Sequence, residues 1–265
     1  FSLLRTFDPP LEATFGKQLL EMRRIGKRIV FGLEDDLFLV LHLMVAGRLH
    51  WHEERKAIPA KVGLAAFDFT PGTVLLTEAG SKRRASLHVV SGETALADLD
   101  PGGIELTASS LDEFTQALTA ERHTLKRALT DSRRMSGIGG AFADEILHRA
   151  RLSPMQMNTN LSLAEIETLF VACKETLDEW VAIRREETGE GFPEKVTAFH
   201  PKMAVHGKYG APCPVCGTTV QRIVYASRET NYCPGCQTGG KILADRSLSR
   251  LLRDDWPKTV DDLDE

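Results

Sequence analysis

Cys213-Pro-Val-Cys216 and Cys233-Pro-Gly-Cys236 lie near the carboxyl end of the chain as two Cys-x2-Cys pairs with 16 residues between them. Each pair brings two sulfurs to one side of a tight knuckle, and two knuckles on facing hairpin ends complete the tetrahedron of thiolates that zinc accepts. With all four positions filled by protein, the expected site is one structural Zn2+, with no open position for a water nucleophile. A disulfide suits this spacing poorly, because a Cys-x2-Cys pair closes a very short loop. Between the knuckles Thr218–Tyr225 alternates as a strand does, and Ala226–Cys233 returns. Arg228 therefore falls at or near the tip of a metal-stapled β-hairpin, and an arginine on a rigid tip is suited to phosphate.

Working outward, 265 residues with 42% hydrophobic content suffice for two domains plus this small metal module. No apolar run is long enough to span a membrane, and no charged-then-apolar leader opens the chain, so a cytoplasmic, nucleoid-associated monomer is expected. The net charge of -4 looks wrong for a nucleic-acid binder until its distribution is considered. Residues 254–265 hold six acids against one lysine, leaving the remainder at +1 with its bases in clusters.

The first hundred residues read as strands. Lys27–Leu33 and Leu37–Met44 flank the turn Glu34-Asp-Asp36, and Thr73–Thr77 follows Pro71-Gly72. Short apolar strands without intervening amphipathic helices predict an antiparallel sandwich. Asp100-Pro-Gly-Gly103 then marks a boundary. Beyond it Ser110-Leu-Asp-Glu113 and Ser162-Leu-Ala-Glu165 fit the capping box, and after the second Ile166, Leu169, Phe170, Cys173, Leu177, Trp180 and Val181 recur at helical spacing. The fifth cysteine, Cys173, falls on that stripe as a core residue. Between these helices Gly137, Gly139 and Gly140 form a turn in which backbone amides can approach a phosphate, with Lys126 and Arg127 on the preceding helix. Taken alone, a glycine-rich turn equally suits a plain helical hairpin.

In order and composition these segments resemble the formamidopyrimidine-DNA glycosylase and endonuclease VIII family. Val205–Gly217 with Arg228-x-Thr-x-Tyr-Cys-x-x-Cys-Gln237 resembles its zinc finger, and Leu125–Leu147 its helix-two-turn-helix. Arg23–Arg28 resembles its basic strand segment, His42–Leu49 the strand that supplies a void-filling wedge, and Lys82-Arg-Arg84 the loop before an intercalating Phe. The resemblance implies an α+β multidomain fold with an N-terminal antiparallel β-sandwich (1–104), a helix-two-turn-helix domain (105–204), a C-terminal zinc-finger β-hairpin (205–240) and an extension with the acidic tail (241–265). It implies damaged double-stranded DNA as partner. Lys27 would lie beside the lesion phosphate and assist the first elimination, and Arg228 would hold the flanking phosphates and serve the second, as the two catalytic residues present here. Lys82, Arg83, Arg84, Lys126, Gly137, Gly139 and Lys208 would bind the DNA backbone.

Departures from the pattern matter. Val45 stands for the wedge Met, Ala85 for the intercalating Phe, and Gly140 for an Asn phosphate donor, while Ala66 falls where the family places a His ahead of Asp68. The family begins Pro-Glu-Leu-Pro, whose proline amine is the nucleophile, whereas this sequence begins Phe1-Ser-Leu-Leu. A Pro-Glu segment upstream of Phe1 is the expectation. The resemblance then implies a bifunctional base-excision-repair glycosylase and apurinic/apyrimidinic lyase acting on oxidised purines flipped from the duplex. A catalytically silent damaged-DNA binder, an enzyme of endonuclease VIII type acting on oxidised pyrimidines, and a zinc ribbon serving RNA or protein contacts are the alternatives.

Overall fold

The computed structural model describes residues 3–80, 82–194, 196–225, 228–245, 248–252 and 256–263. Phe1, Ala226, Ser227 and the tail acids Asp254, Asp255, Asp264 and Glu265 lie outside the described residues. Two compact units divide the chain, Phe1–Pro101 with Arg184–Val196, and Gly102–Ile183 with Thr197–Glu265.

The first unit holds β1 (Leu19–Ile25), β2 (Arg28–Leu33), β3 (Leu37–His42), β4 (Gly47–His52), β5 (Gly63–Phe69), β6 (Gly72–Glu78) and β7 (Ser86–Ser91). They form two antiparallel sheets, ordered β1-β2-β3-β7 and β4-β6-β5. The acidic turn between β2 and β3 places Asp35 and Asp36 in the left-handed region, which short polar side chains tolerate. Phe31, Leu39, Leu41, Leu76, Leu87 and Val89 make one core, across which the Phe31 and Phe67 rings stack at 5.9 Å.

The other face of the larger sheet, Val30, Phe38, Val40 and Val90, packs against Leu96 of the short helix α1 (Glu93–Ala97). The sequence reading placed no helix in this region. Its presence accounts for the unbroken burial of Leu37–Leu41: a strand covered on both faces loses the apolar-polar alternation of a half-buried one.

The second unit carries α2 (Leu111–Thr119), α3 (Leu125–Thr130), α4 (Gly140–Arg149), α5 (Leu163–Thr188) as far as Ile183, β8 (Gln221–Tyr225), β9 (Arg228–Tyr232), α6 (Pro234–Gln237) and α7 (Leu248–Leu252). Both capping boxes form, with Ser110 and Glu113, then Ser162 and Glu165, exchanging backbone and side-chain bonds. The core joins Leu118, Leu125, Leu129, Met135, Ile138, Ile146, Leu147, Leu169 and Cys173. Burial pushes the Cys173 thiol up, as suits a packed core residue.

The stripe of α5 differs from expectation at its end. Ala172 and Thr176 are buried with Trp180, while Val181 is 49% exposed. One residue turns the helix by about 100°, so with Trp180 inward its neighbour points away. Among the described residues no helix is long and apolar enough to cross a membrane.

Candidate metal centre and nucleic-acid interface

The two knuckles fold as their local chemistry dictates. The Val215 amide donates to Cys213 Sγ and the Cys236 amide to Cys233 Sγ, each at 3.4 Å, so backbone dipoles support the sulfur charge that a metal requires. Cys213 Sγ lies 3.9 Å from Cys236 Sγ, and Cys216 Sγ lies 3.3 Å from Cys233 Sγ. A tetrahedral ion with zinc–sulfur bonds of about 2.3 Å sets its sulfurs about 3.8 Å apart. The four cysteines therefore fit a single structural Zn2+, which would staple β8 to β9 and take no part in chemistry. Without metal, burial pushes the Cys233 thiol up and the Cys236 thiol up to about 11. Zinc uptake there releases protons and weakens as pH falls.

The knuckles are tied to the helices. Cys233 N–H donates to Gln237 Oε1 at 2.8 Å, and Gln237 Nε2 donates to Leu152 O at 2.9 Å. His148, in the last turn of α4, sets Nε2 3.2 Å from Cys213 Sγ. Burial holds its imidazole below the usual histidine range.

A buried acid pair on α4, Asp144 and Glu145, organises the segment entering the zinc finger. Glu145 accepts the backbone N–H groups of Ala204, Val205 and His206 at 2.7, 3.0 and 2.9 Å. Asp144 pairs with His206 Nδ1 at 2.8 Å and with Lys126 Nζ. None of Asp144, Glu145, His148 and His206 was singled out from sequence. The available signal was two adjacent acids on a helix face whose neighbours Ala143 and Ile146 are apolar.

Lys126, expected to bind the DNA backbone, has partners within the chain. Its side chain is only 14% exposed, drawn inward to Asp144 and to Glu229 O on β9, which accepts at 3.2 Å. Desolvation lowers its pKa from the usual lysine value against the opposing pull of Asp144. Lys126 thus joins α3, α4 and β9, and the residue next to Glu229 is Arg228. Arg228 opens β9 opposite Tyr225 and is exposed. Lys208 sits in the turn before the first knuckle, partly exposed, its N–H bonded to Val205 O at 3.0 Å.

The glycine turn has the expected form. Ile138 is buried in the core and draws the loop down, leaving Gly137 and Gly139 nearer the surface. Gly137 adopts φ +81°, which a residue with a Cβ enters only at a cost. Gly139 precedes α4 without any side-chain cap, so the helix start presents backbone amides and the positive end of the helix dipole.

In the first unit, Lys27 is exposed at the turn joining β1 and β2, yet desolvation lowers its pKa from the usual lysine value. His42, opposite Arg28 on the adjoining strand, is held below its usual range by burial and by the Arg28 and Lys27 charges. Its Nδ1 accepts the Met44 N–H at 2.9 Å, and Arg48 Nη1 donates to Val45 O at 3.1 Å. These bonds hold out a tip on which Val45 is 82% and Met44 43% exposed.

In the basic loop Lys82 and Arg84 are exposed, while Arg83 Nη2 donates to Lys61 O at 2.5 Å. Buried Glu78 shapes this loop, accepting the Arg84 and Ala85 amides at 2.9 to 3.1 Å. Ala85 is 0% exposed, so the position aligned with an intercalating aromatic packs into the core.

Residues 4–84 match the model of the formamidopyrimidine-DNA glycosylase N-terminal domain, 103–192 that of its H2TH domain, and 210–239 that of the zinc finger found in this glycosylase and in IleRS. An uncharacterized formamidopyrimidine-DNA glycosylase-like protein of Mycobacterium tuberculosis is 40% identical over 144 residues, covering 54% of this chain and 89% of that protein. The formamidopyrimidine-DNA glycosylase of Thermus thermophilus is 32% identical over 237 residues, covering 85% and 84% of the two chains. The crystal structure of the enzyme from that organism superposes with a TM-score of 0.69, covering 84% of each chain. The Lactococcus lactis enzyme in complex with a FAPY-dG containing DNA superposes with a TM-score of 0.72 at 25% identity, covering 84% of this chain and 83% of that one. On fold, zinc knuckles, glycine turn and sequence together, the chain belongs to the formamidopyrimidine-DNA glycosylase family.

Proposed function

We propose that this protein is a base-excision-repair DNA glycosylase with apurinic/apyrimidinic lyase activity, removing oxidised purines of the formamidopyrimidine and 8-oxoguanine type from duplex DNA. The observation that carries the reading is the Lys126 bridge. One ammonium bonds Asp144 on the helix that follows the glycine turn and Glu229 O beside Arg228, so turn and hairpin tip are fixed to each other within one unit. Two anion-receptive features held in fixed register suit successive phosphates of one strand.

In this reading Arg228 grips the phosphates flanking the lesion, and the amides at Gly137 and Gly139 receive the backbone. Lys208, Lys82, Arg83 and Arg84 add counter-charge. Lys126 serves by position. Lys27, with an ammonium that gives up its proton more readily than a free lysine, lies beside the lesion and assists elimination. The nucleophile is the amine of an amino-terminal proline, with the adjacent Glu as acid/base. Its attack on the sugar C1′ of the flipped nucleotide expels the base and leaves an imine, which permits strand cleavage by elimination. This step is proposed for a chain that opens with Pro-Glu.

The test is binding to a duplex bearing an abasic-site analogue against the same duplex intact. A clear preference for the analogue is expected, and Arg228→Ala and Lys27→Ala should each weaken binding and reduce the salt slope by about one unit. Arg149→Ala, which removes a residue paired with Glu175 and Glu179, should leave the slope unchanged. Equal effects from all three would refute the assignment. The core burial of Ala85 and the short Val45 favour one second reading, a damaged-DNA binder that does not cut, which predicts the same preference with no base release.

A further inference from the structure

We propose that His148 is a fifth donor of the zinc centre, able to complete a three-cysteine, one-histidine site in place of Cys216. His148 Nε2 and the Sγ atoms of Cys213, Cys233 and Cys236 all lie within 4.8 Å of one another, the compactness required of four ligands on one ion. The closest approach is the 3.2 Å between Nε2 and Cys213 Sγ. A tetrahedral zinc with a nitrogen ligand at about 2.0–2.1 Å and sulfurs at about 2.3 Å places nitrogen and sulfur about 3.5 Å apart. The Nε2–Cys213 Sγ separation is thus within a few tenths of an ångström of the ligated value.

The four sulfurs are not equivalent. Cys213 and Cys233 are buried and Cys236 is partly so, whereas Cys216 is exposed at the solvent edge of the cluster, its Sγ 3.3 Å from Thr218 Oγ1. The three inner sulfurs and His148 therefore form the enclosed part of the donor set, and Cys216 is the member solvent can reach. In the four-thiolate state His148 donates its N–H to Cys213, orienting that ligand from α4 as an outer-shell partner does. When Cys216 is unavailable, the imidazole shifts to the tautomer with its proton on Nδ1, the Nε2 proton passing to solvent as Nδ1 takes one up, and the freed Nε2 lone pair turns to the metal. Imidazole and thiolate are both ordinary zinc ligands in structural sites, so either set closes the tetrahedron. The hairpin then keeps its staple when its most accessible ligand is lost.

The experiment compares metal content and ligand field in the whole chain. Cys216→Ala should retain about one zinc per chain after dialysis, while Cys233→Ser should lose it. His148→Phe and His148→Gln, with four thiolates intact, should also retain it, and the double variant Cys216→Ala/His148→Phe should not. With Co2+ in place of zinc, the visible bands of Cys216→Ala should lie at shorter wavelength than those of the parent, as expected when a nitrogen replaces one thiolate. Loss of zinc from Cys216→Ala as complete as from Cys233→Ser would overturn the proposal. So would retention of metal by the double variant, or a Co2+ spectrum of Cys216→Ala identical to that of the four-thiolate parent.

Discussion

Replacing Glu145 by Gln tests whether the buried acid on α4 anchors the entry to the zinc finger. In the structure Oε1 accepts the Val205 and His206 amides and Oε2 accepts Ala204 at 2.7 Å. Hydrogen bonds to a charged group contribute about 1.5–3 kcal/mol each. Glutamine keeps one acceptor for Val205 and His206 but makes both bonds neutral, and it sets an amide N–H₂ against the Ala204 N–H. One charge-assisted bond is lost, two are weakened and a buried donor is left unsatisfied, so a cost of about 2–4 kcal/mol is expected. Urea unfolding followed by tryptophan fluorescence measures it, because Trp180 meets the His200 ring edge-on at 5.0 Å, in the segment that Glu145 holds. A change below about 0.5 kcal/mol, the scale of a neutral surface substitution, would refute the anchoring role.

Two further outcomes follow from the geometry. Asp131 accepts Arg133 Nη2 at 2.7 Å, and this pairing lowers its pKa from the ordinary 3.8 to about 2. A depressed carboxyl contributes stability above its unfolded pKa that is lost as pH falls through the folded one. Asp131→Asn should therefore be less stable than the parent near pH 6, with the gap closing between about pH 4 and 2 in thermal melts; a constant gap would contradict the pairing. At Gly140 an added Cβ meets nothing within 4 Å, so Gly140→Asn should fold normally and bind duplex DNA more tightly by supplying a phosphate donor at the helix start. Unchanged affinity in titrations at low and moderate salt would count against phosphate contact at this turn.

The sequence was most legible where chemistry is local. Two Cys-x2-Cys pairs, two capping boxes and a Gly-x-Gly turn are each specified within a few residues, and the structure forms all of them as read. Short or long-range features were not. Helix α1 is five residues long, too short for a period to register, and it was visible only through the two-sided burial it imposes on β3. Glu145 bonds amides 59 to 61 residues away, and His148 meets a sulfur 65 residues on. No spacing rule announces such partners. The partners of Lys126 are equally remote: a lysine on a helix before a glycine turn suggests a phosphate ligand, and nothing nearby announces its bonds to the Asp144 carboxylate and to Glu229 O. Glu78 was likewise hidden, since an acid ahead of three basic residues looks like surface charge until the backbone folds its amides onto it.

The central claim, imine chemistry on damaged DNA, is tested most directly by borohydride trapping on a duplex carrying an abasic site. A chain opening with Pro-Glu ahead of the present sequence should give a covalent protein–DNA adduct and cleave the strand. The sequence Phe1–Glu265 alone should bind the duplex and give neither. Trapping by Phe1–Glu265 itself would contradict the assignment of the nucleophile and point to an internal lysine, with Lys27 the first to replace. Binding without adduct or cleavage by the Pro-Glu chain would contradict the lyase and leave a protein that recognises damage without cutting it.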